Sequence, residues 1–326
     1  MEAGQVYSEL GVSQMGIQGL VNIKQAISTL NSKHVRDMAD QQILVGLHAA
    51  TPEAYARLEN FLLADLSPAR RQDSSRLIAR SPGTMLGQSN ADINIYDEGV
   101  IAPAKGLIYH PDRSSLLIEG ALSKHPNLGM ALARSFKPFR DPFVEKAIAN
   151  TARENTLFSL ATALPDVIPS LIELPWAVAE FASDTAFITM NQIRMSFQIA
   201  GASDREVGYM EQKSEIAALI GGAFGWRAIA RQIVGKVPFG GGLIGKAAIA
   251  YAGTKVVGVS LDKFYGVGYT YARDEREALY ADAYKQGKKI AFRLLSLLRP
   301  DLADKLAAKE QEIPTPGARS ASGGYR

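Results

Sequence analysis

With 326 residues, the chain is long enough for two domains of ordinary size, each with its own hydrophobic core. Apolar residues make up 47% of it and charged residues 21%, which is typical of a folded globular protein and excludes a disordered one. The 36 basic and 33 acidic residues leave a formal charge of +3, too small to indicate nucleic-acid binding, and the absence of cysteine excludes disulfides, thiolate catalysis and cysteine metal sites.

The N-terminal segment has neither the charge of a secretory signal nor the length of a membrane span. Glu2 lies where a signal peptide would need positive charge. The longest uncharged run, fourteen residues from Leu10 to Ile23, contains polar residues and is shorter than the roughly twenty apolar residues of a spanning helix. We therefore expect a cytoplasmic protein without a transmembrane segment.

The first 135 residues alternate between strand and helix patterns. Three short runs with apolar or β-branched residues predict strands at 42–47, 92–97 and 106–110. Helices are predicted after the first strand, where Thr51 can cap and Pro52 can take the first helical position, from Ser67 through SPARRQDSSRLIAR, and over SSLLIEGALSK. Because strands separated by helices favour parallel pairing, these residues predict a small, mostly parallel sheet in a domain of residues 1–135.

From about Pro142 the sequence changes to long helical segments interrupted by proline and glycine. We predict an all-α module over residues 136–312, whose last helix runs from about Arg273 to Glu312, and a disordered tail over residues 313–326. The expected fold class is α+β and mainly α: a small N-terminal α/β domain with about three strands, followed by a C-terminal bundle of long Gly/Ala-rich helices.

The stretch PFGGGLIGKAA, residues 238–248, contains most of a nucleotide-binding P-loop. Gly240, Gly245 and Lys246 match the pattern G-x-x-x-x-G-K, but Ala247 stands where a hydroxyl would hold magnesium. A working P-loop also follows a buried strand, whereas the apolar residues upstream recur every four positions, as in a helix. The alternatives are an atypical nucleotide site formed by Gly240, Gly245 and Lys246 or, as the pattern favours, a turn between two close-packed helices.

Charged residues are unevenly distributed over the helical part. Seven basic residues and two acidic ones lie between Lys213 and Lys263. The candidate interaction residues among them are Arg227, Arg231, Lys236, Lys246 and Lys255. Basic residues on helices with apolar faces suit anionic lipid headgroups. The alternatives are a solvated helix face or ion pairs with the acidic residues between Glu154 and Asp184.

No catalytic or metal-binding constellation is recognisable in the sequence. The four histidines all precede residue 126 and lack ligand-like spacing; His48 can lie at the edge of the sheet where open α/β folds bind ligands, or be an ordinary loop histidine. Glu180 and Asp184 can form a carboxylate pair, but the helical part has no histidine to complete a di-metal site. We therefore expect no cofactor and no metal, and favour a non-enzymatic protein.

Polar residues also interrupt one of the apolar helical segments, AFITMNQIRMSFQIA. Asn191, Gln192 and Arg194 are interpreted as groups on the helix surface or as interhelical hydrogen-bond partners rather than as a site.

The segment from about residue 155 to 270 resembles a bacterial family of helical domains of unknown function. This family occurs in YcjF-like, inner-membrane-associated proteins and at the C-terminus of some GTPases. The matching features are a Pro-Gly turn at residues 237–242, a small-residue helix with Thr254 and Gly258, and an aromatic pair at Phe264 and Tyr265. The resemblance implies an all-α, membrane-facing module without catalytic residues.

In the GTPase members a P-loop domain precedes the helical module, so the resemblance implies that the first part of this chain is a degenerate GTPase-like region. The loop after its first strand reads HAATPEAY and has no Gly-Lys pair, and the chain has no N-K-x-D guanine-reading motif. A nucleotide-free version of such a domain is therefore expected.

The leading hypothesis is a non-enzymatic bacterial protein whose helical module docks onto a protein partner or onto the cytoplasmic face of the inner membrane, as a peripheral protein. The first alternative is an NTPase or GTPase-like protein with an atypical nucleotide site. The second alternative is a soluble homo-oligomeric scaffold whose small-residue helices pair between subunits.

Overall fold

The computed structural model describes residues 30–82, 90–164, 184–221 and 242–311. Four parallel strands form one sheet in the order β2-β1-β3-β4. Their bounds are Val45–Ala49 (β1), Ile78–Pro82 (β2), Ile93–Asp97 (β3) and Leu107–Tyr109 (β4). The protein is mainly helical outside this small N-terminal sheet, and the predicted fold class is confirmed.

Three of the four strands were predicted, and β2 was not. The helix predicted through SPARRQDSSRLIAR ends at Ser75, and the residues after it form β2. This strand lies at the edge of the sheet, pairs with β1 alone, and leaves Ile78 half-buried and Arg80 exposed. It therefore lacks the apolar run that marks the buried β1, and its one arginine, Arg80, fitted the helical interpretation.

Five α-helices are described in the first part of the chain: Ser32–Ala39 (α1), Pro52–Leu62 (α2), Pro68–Ser75 (α3), Ser114–Lys124 (α4) and Gly129–Ser135 (α5). The predicted start of α2 is confirmed, because the Thr51 hydroxyl accepts a hydrogen bond from the Ala54 amide at 3.2 Å and Pro52 takes the first helical position. The apolar side of α2 packs against β1 and β3 through Ala54, Leu58 and Leu62.

Six helices are described in the second part: Lys137–Ala161 (α6), Asp184–Ala202 (α7), Lys213–Gly221 (α8), Leu243–Val267 (α9), Arg273–Leu298 (α10) and Pro300–Gln311 (α11). The single last helix predicted from Arg273 to Glu312 is wrong, because the helix ends at Arg299, whose backbone angles, φ −144° and ψ 77°, are not helical. Proline disfavours a helical residue before it and has no amide hydrogen to continue the helix, so Pro300 starts a new one.

Helices α6, α7, α9 and α10 pack together, with α6 antiparallel to α7 and to α9, and α9 antiparallel to α10. Two glycines allow close approach: a Cβ at Gly258 of α9 would come within 2.7 Å of Ile148 on α6, and one at Gly287 of α10 within 2.9 Å of the Ala248 carbonyl oxygen on α9. These contacts give the expected bundle of helices lined by small residues.

The predicted boundary between residues 135 and 136 does not divide the buried apolar side chains. Sheet residues such as Leu47 belong to the same core cluster as Met130 of α5, Ile193 of α7 and Val256 of α9. At Gly201 of α7, a Cβ would come within 3.0 Å of the Met130 sulfur. One core therefore joins the two parts, while their separate folding stays a prediction.

Arginine side chains reinforce this junction between the sheet and the helices. Arg134 donates hydrogen bonds to the carbonyl oxygens of Gly201, at 3.2 Å, and Arg205, at 2.8 Å, and so caps the carboxyl end of α7. The same guanidinium pairs with Asp40, after α1, and Asp204. Arg134 thus links the carboxyl end of α7 to Asp40, the residue that follows α1.

Candidate docking site

Helix α10 is the outer member of the hairpin that it forms with α9. Its buried side chains lie on one face and pack inward; they are Tyr280, Ala283, Tyr284, Gly287, Ala291 and Leu295. Since a helix turns about 100° per residue, the opposite face is presented to solvent along the whole length of α10.

The second half of this outer face is basic. Lys285, Lys289 and Arg293 are four residues apart, so they lie one above the other, and Lys288 flanks them. All four side chains are exposed, and none forms a hydrogen bond or an ion pair within the described part of the chain. No acidic residue occurs between Ala283 and Pro300. The positive charge of this surface is therefore not neutralised by the helix that carries it.

Lys246 lies at the same end of the hairpin. It is exposed in the first turn of α9, whose neighbouring residues Leu243 and Ile244 pack against Leu295 of α10. The first turn of α9 contains no acidic side chain, so the positive end of the helix dipole adds to the charge of Lys246. We define the basic patch as Lys246, Lys285, Lys288, Lys289 and Arg293.

An exposed leucine continues the stripe at the end of the patch. Leu297 follows Arg293 by one helical turn, and 76% of its surface is exposed. A row of lysine and arginine side chains that ends in an exposed leucine combines charge with an apolar contact.

Of the other predicted interaction residues, Lys255 lies away from the patch. Its ammonium donates a hydrogen bond to the side-chain oxygen Oε1 of Gln286 at 2.6 Å, and the side-chain nitrogen Nε2 of Gln286 donates to the Asp282 carboxylate at 2.6 Å. Lys255 therefore links α9 to α10 inside the hairpin. Arg227, Arg231 and Lys236 lie outside the described residues, as does Gly240.

The P-loop-like residues Gly245 and Lys246 lie in the first turn of a long helix, one of the two helices that the turn interpretation requires. The Lys246 amide donates a hydrogen bond to the Gly242 carbonyl oxygen at 3.0 Å, as in a regular helix. Ala247, at the position of the missing hydroxyl, is fully buried against Leu160 and Ala291. A hydroxyl at this position would therefore face the core and not a bound magnesium ion. The upstream half of the stretch lies outside the described residues, so the nucleotide interpretation stays a prediction.

The sheet has a topological switch point between β1 and β3, because the chain leaves β1 toward β2 on one side and later adds β3 on the other. Open α/β sheets bind ligands beyond the carboxyl ends of such strands. His48 lies there, inside β1 rather than in a loop; its Nε2 is 2.8 Å from Asn94 Oδ1, and its ring stacks on Tyr96. His48 is thus a buried residue of the sheet.

The start of α2, beside this switch point, is occupied by the chain's own side chains. Thr51 accepts the hydrogen bond from Ala54, and a backbone hydrogen bond is the main cause that lowers the pKa of the Glu53 carboxyl. A carboxylate at a helix amino end takes the place that a phosphate would need. The nucleotide-free domain implied by the resemblance stays a prediction.

Nearby charged groups on β3 and its loop are also paired. Asp97 accepts hydrogen bonds from Arg57, at 3.3 Å, and from the Gly99 amide, and Glu98 lies 2.9 Å from His110. Within residues 30–82, 90–164, 184–221 and 242–311, no group of three or more acidic or histidine side chains could hold a metal ion.

Asn191 and Arg194 of α7 are interhelical partners, as one of the two interpretations expected, whereas Gln192 is not one within the described part of the chain. Asn191 donates a hydrogen bond to Asn155 of α6, which donates to Thr254 of α9, both at 2.8 Å. Arg194 pairs with Glu154. The fully buried Gln192 has no hydrogen-bond partner for either amide atom among the residues described. Asn191 thus joins α7 to α6 and, through Asn155, to α9, and Arg194 joins α7 to α6.

Of the five residues of the basic patch, only Lys246 is among the interaction residues predicted from the sequence. The signal was present as lysine and arginine residues four positions apart, but the sequence does not say which face of α10 is turned outward. That face is set by the packing of Gly287 and Ala291 against α9.

Among the described helices, none is both long and apolar enough to span a lipid bilayer. Comparison of the chain with protein-family models, with curated proteins and with solved structures gives no match.

Proposed function

We propose that this protein is a non-enzymatic docking protein whose helical module binds an anionic membrane surface through the basic patch. The observation that carries this proposal is the exposed row of Lys285, Lys289 and Arg293 on the outer face of α10, which has no acidic partner in the described residues. Lipid headgroups with negative charge supply the missing counter-charge.

The strength of the interaction follows from the number of charges. Each lysine or arginine near an anionic membrane contributes about 1 kcal/mol, so the five residues of the patch together contribute several kcal/mol at low ionic strength. Burial of Leu297 at the acyl boundary adds an apolar contribution of about 1–2 kcal/mol. The electrostatic part weakens as salt shortens the screening length to about 10 Å at 0.1 M.

The direction of docking follows from the distribution of charge along α10. Its first turn contains Asp274 and Glu275, which an anionic surface repels. The helix therefore approaches the membrane with its second half, together with the start of α9 that contains Lys246. The inner-membrane association implied by the YcjF-like resemblance supports the same location, at the cytoplasmic face of the membrane.

Flotation of the full-length protein with vesicles tests the proposal. The protein is expected to float with phosphatidylglycerol vesicles at low salt, to remain in solution with phosphatidylcholine vesicles, and to be released as salt is added. Reversing two charges, with Lys246→Glu and Lys288→Glu together, is expected to weaken binding by roughly 30-fold or more, since removing two charges costs about 2 kcal/mol.

The matched control is the double variant Lys33→Glu and Lys137→Glu, which changes the net charge equally at exposed positions outside the patch. It should float like the unchanged protein. Absence of flotation at low salt, or an equal loss of flotation in both double variants, would contradict docking through the patch. If the protein binds an acidic protein but no anionic vesicles, the partner of the patch is a protein and not a membrane.

A further inference from the structure

The outer face of α10 is divided into an acidic and a basic half. Its first half exposes Asp274 and Glu275, and Asp282 lies near the middle. The second half exposes the row of Lys285, Lys289 and Arg293. The side chains exposed between the two halves include the small residues Ala278 and Ala281. Such a face is complementary in charge to a copy of itself running in the opposite direction.

The groups at the two ends of this face are available for pairing. Asp274 is exposed and forms no ion pair within the described residues, and the same holds for Arg293. The other acidic groups are partly engaged: Glu275 lies 3.8 Å from Lys263, and Asp282 accepts a hydrogen bond from Gln286. Asp274 and Arg293 can therefore pair between two molecules without giving up an ion pair that they form within the described residues.

Antiparallel pairing about an axis near residues 283 and 284 brings the opposite charges together. Asp274 and Arg293 are equally far from this axis, about 14 Å at a rise of 1.5 Å per residue, so each faces the other residue on the second copy. Asp282 and Lys285 are related in the same way, and Lys289 faces Ala278, where a small side chain leaves room. A two-fold axis repeats every contact.

We infer that a second copy of this chain binds to the outer face of α10, forming an antiparallel α10–α10 pair held by Asp274–Arg293 and Asp282–Lys285 contacts. The face contributes little apolar surface apart from Ala278 and Ala281. A contact of this size and polarity is typical of reversible association and not of an obligate dimer. The dimer is therefore expected to dissociate on dilution and as salt is added.

The pairing covers three of the five residues of the basic patch. Lys285, Lys289 and Arg293 lie in the contact, whereas Lys246 and Lys288 lie beside it. A paired molecule cannot present the covered side chains to another acidic surface. Self-association would thus compete with docking, although the dimer itself does not depend on the proposed membrane function.

Sedimentation velocity on the full-length protein, over a concentration series at low and high salt, tests this inference. The unchanged protein should form a dimer at low salt. Asp274→Arg and Arg293→Asp, each alone, should raise the dimer dissociation constant about tenfold or more, because each creates two like-charge contacts in the symmetric pair. The double variant with both changes exchanges the charges and should restore the dimer, with Lys33→Glu as the unaffected control.

If one of the single variants folds poorly, the charge-swapped double variant still tests the inference, because it should form the dimer. Far-ultraviolet circular dichroism checks that each variant is folded. A monomer at all concentrations of the unchanged protein, or a swap that fails to restore association, would overturn the inference. Asp274→Arg leaves the basic patch intact, so it should be monomeric and still float with anionic vesicles. Lys246→Glu with Lys288→Glu should dimerise but not float, which separates this inference from the proposed function.

Discussion

At the scale of single residues, the interior of the helical bundle contains amides in two different situations. Asn155 is fully buried and both accepts a hydrogen bond from Asn191 and donates one to Thr254. Gln192 is equally buried but has no partner among the described residues for its oxygen or its nitrogen. A paired buried amide stabilises the fold, whereas an unpaired one carries the cost of its lost hydration.

Substitutions of these two amides should therefore have different effects on stability. Asn155→Ala leaves the Asn191 amide and the Thr254 hydroxyl without their shared partner and should lower the free energy of unfolding by about 2–3 kcal/mol. Gln192→Met, of similar shape, should leave the free energy unchanged or raise it by about 1 kcal/mol. Urea titrations of both variants measure the difference. A larger loss for Gln192→Met would show that its amide is paired in the folded protein.

The sequence allowed the interhelical role of Asn191 to be expected but not its partners. Asn155 and Thr254 lie 36 and 99 positions from the residues that they contact. Pairing over such separations depends on how three helices pack, and no local pattern contains that information. By contrast, the cap formed by Thr51 was predictable because its partner is only three residues away.

At the scale of elements, the hairpin of α9 and α10 shows two different uses of glycine. Gly287 lies against the backbone of α9, where an added Cβ would be 2.9 Å from the Ala248 oxygen and 3.0 Å from Tyr251 Cβ. Gly245, in the first turn of α9, has only the Tyr284 hydroxyl near the same position, at 3.6 Å. The first glycine is required by packing, and the second is not.

Alanine at these two positions should shift stability in opposite directions. Gly287→Ala should lower the free energy of unfolding by about 1–2 kcal/mol, because the overlap with α9 exceeds the gain in helix propensity. Gly245→Ala should raise it by about 0.5 kcal/mol, since alanine restricts the unfolded chain and fits the helix. Thermal unfolding of the two variants measures both signs. A Gly245→Ala variant that is strongly destabilised would contradict the packing described for the start of α9.

The strands and helices differed in how well the sequence predicted them, for a physical reason. β1 and β3 are buried and contain apolar residues that mark them, whereas β2 has a neighbour on one side only and contains an exposed arginine. The break at Arg299 could have been anticipated from Pro300 alone. β4, at the other edge, was predicted because its apolar Leu107 and Tyr109 are buried, whereas the pairing of β2 and the outward face of α10 are set by long-range packing and were missed.

At the scale of the whole molecule, buried tyrosines in the helical part make the stability of the fold sensitive to alkaline pH. Burial raises the pKa of the Tyr265 and Tyr280 phenols well above their usual 10.0, and the negative charge of Glu215 adds to the effect at Tyr265. The unfolded chain therefore loses these protons at a lower pH than the folded one. Stability is unaffected below about pH 10 and falls above it, where only the unfolded state ionises readily.

The free energy of unfolding should accordingly decrease with rising pH above about pH 10, in step with the appearance of tyrosinate absorbance. Tyr280→Phe should weaken this dependence and leave the stability near neutral pH almost unchanged, because its hydroxyl has no hydrogen-bond partner within the described residues. Tyr269→Phe, at an exposed position, is the control and should leave the pH dependence as it is. An identical dependence in Tyr280→Phe would contradict the assignment.

The contact of Gly201 with Met130 also bears on how the protein is made in the cell. Residues 30–135 emerge from the ribosome well before α7, yet the apolar surface around Met130 and Ala39 is completed only when Gly201 arrives. Synthesis of the roughly 65 intervening residues takes about 3–13 s at about 5–20 residues per second. During this interval the nascent sheet region exposes apolar surface that a ribosome-associated chaperone can bind, so its biogenesis should be more sensitive to chaperone supply than its finished fold.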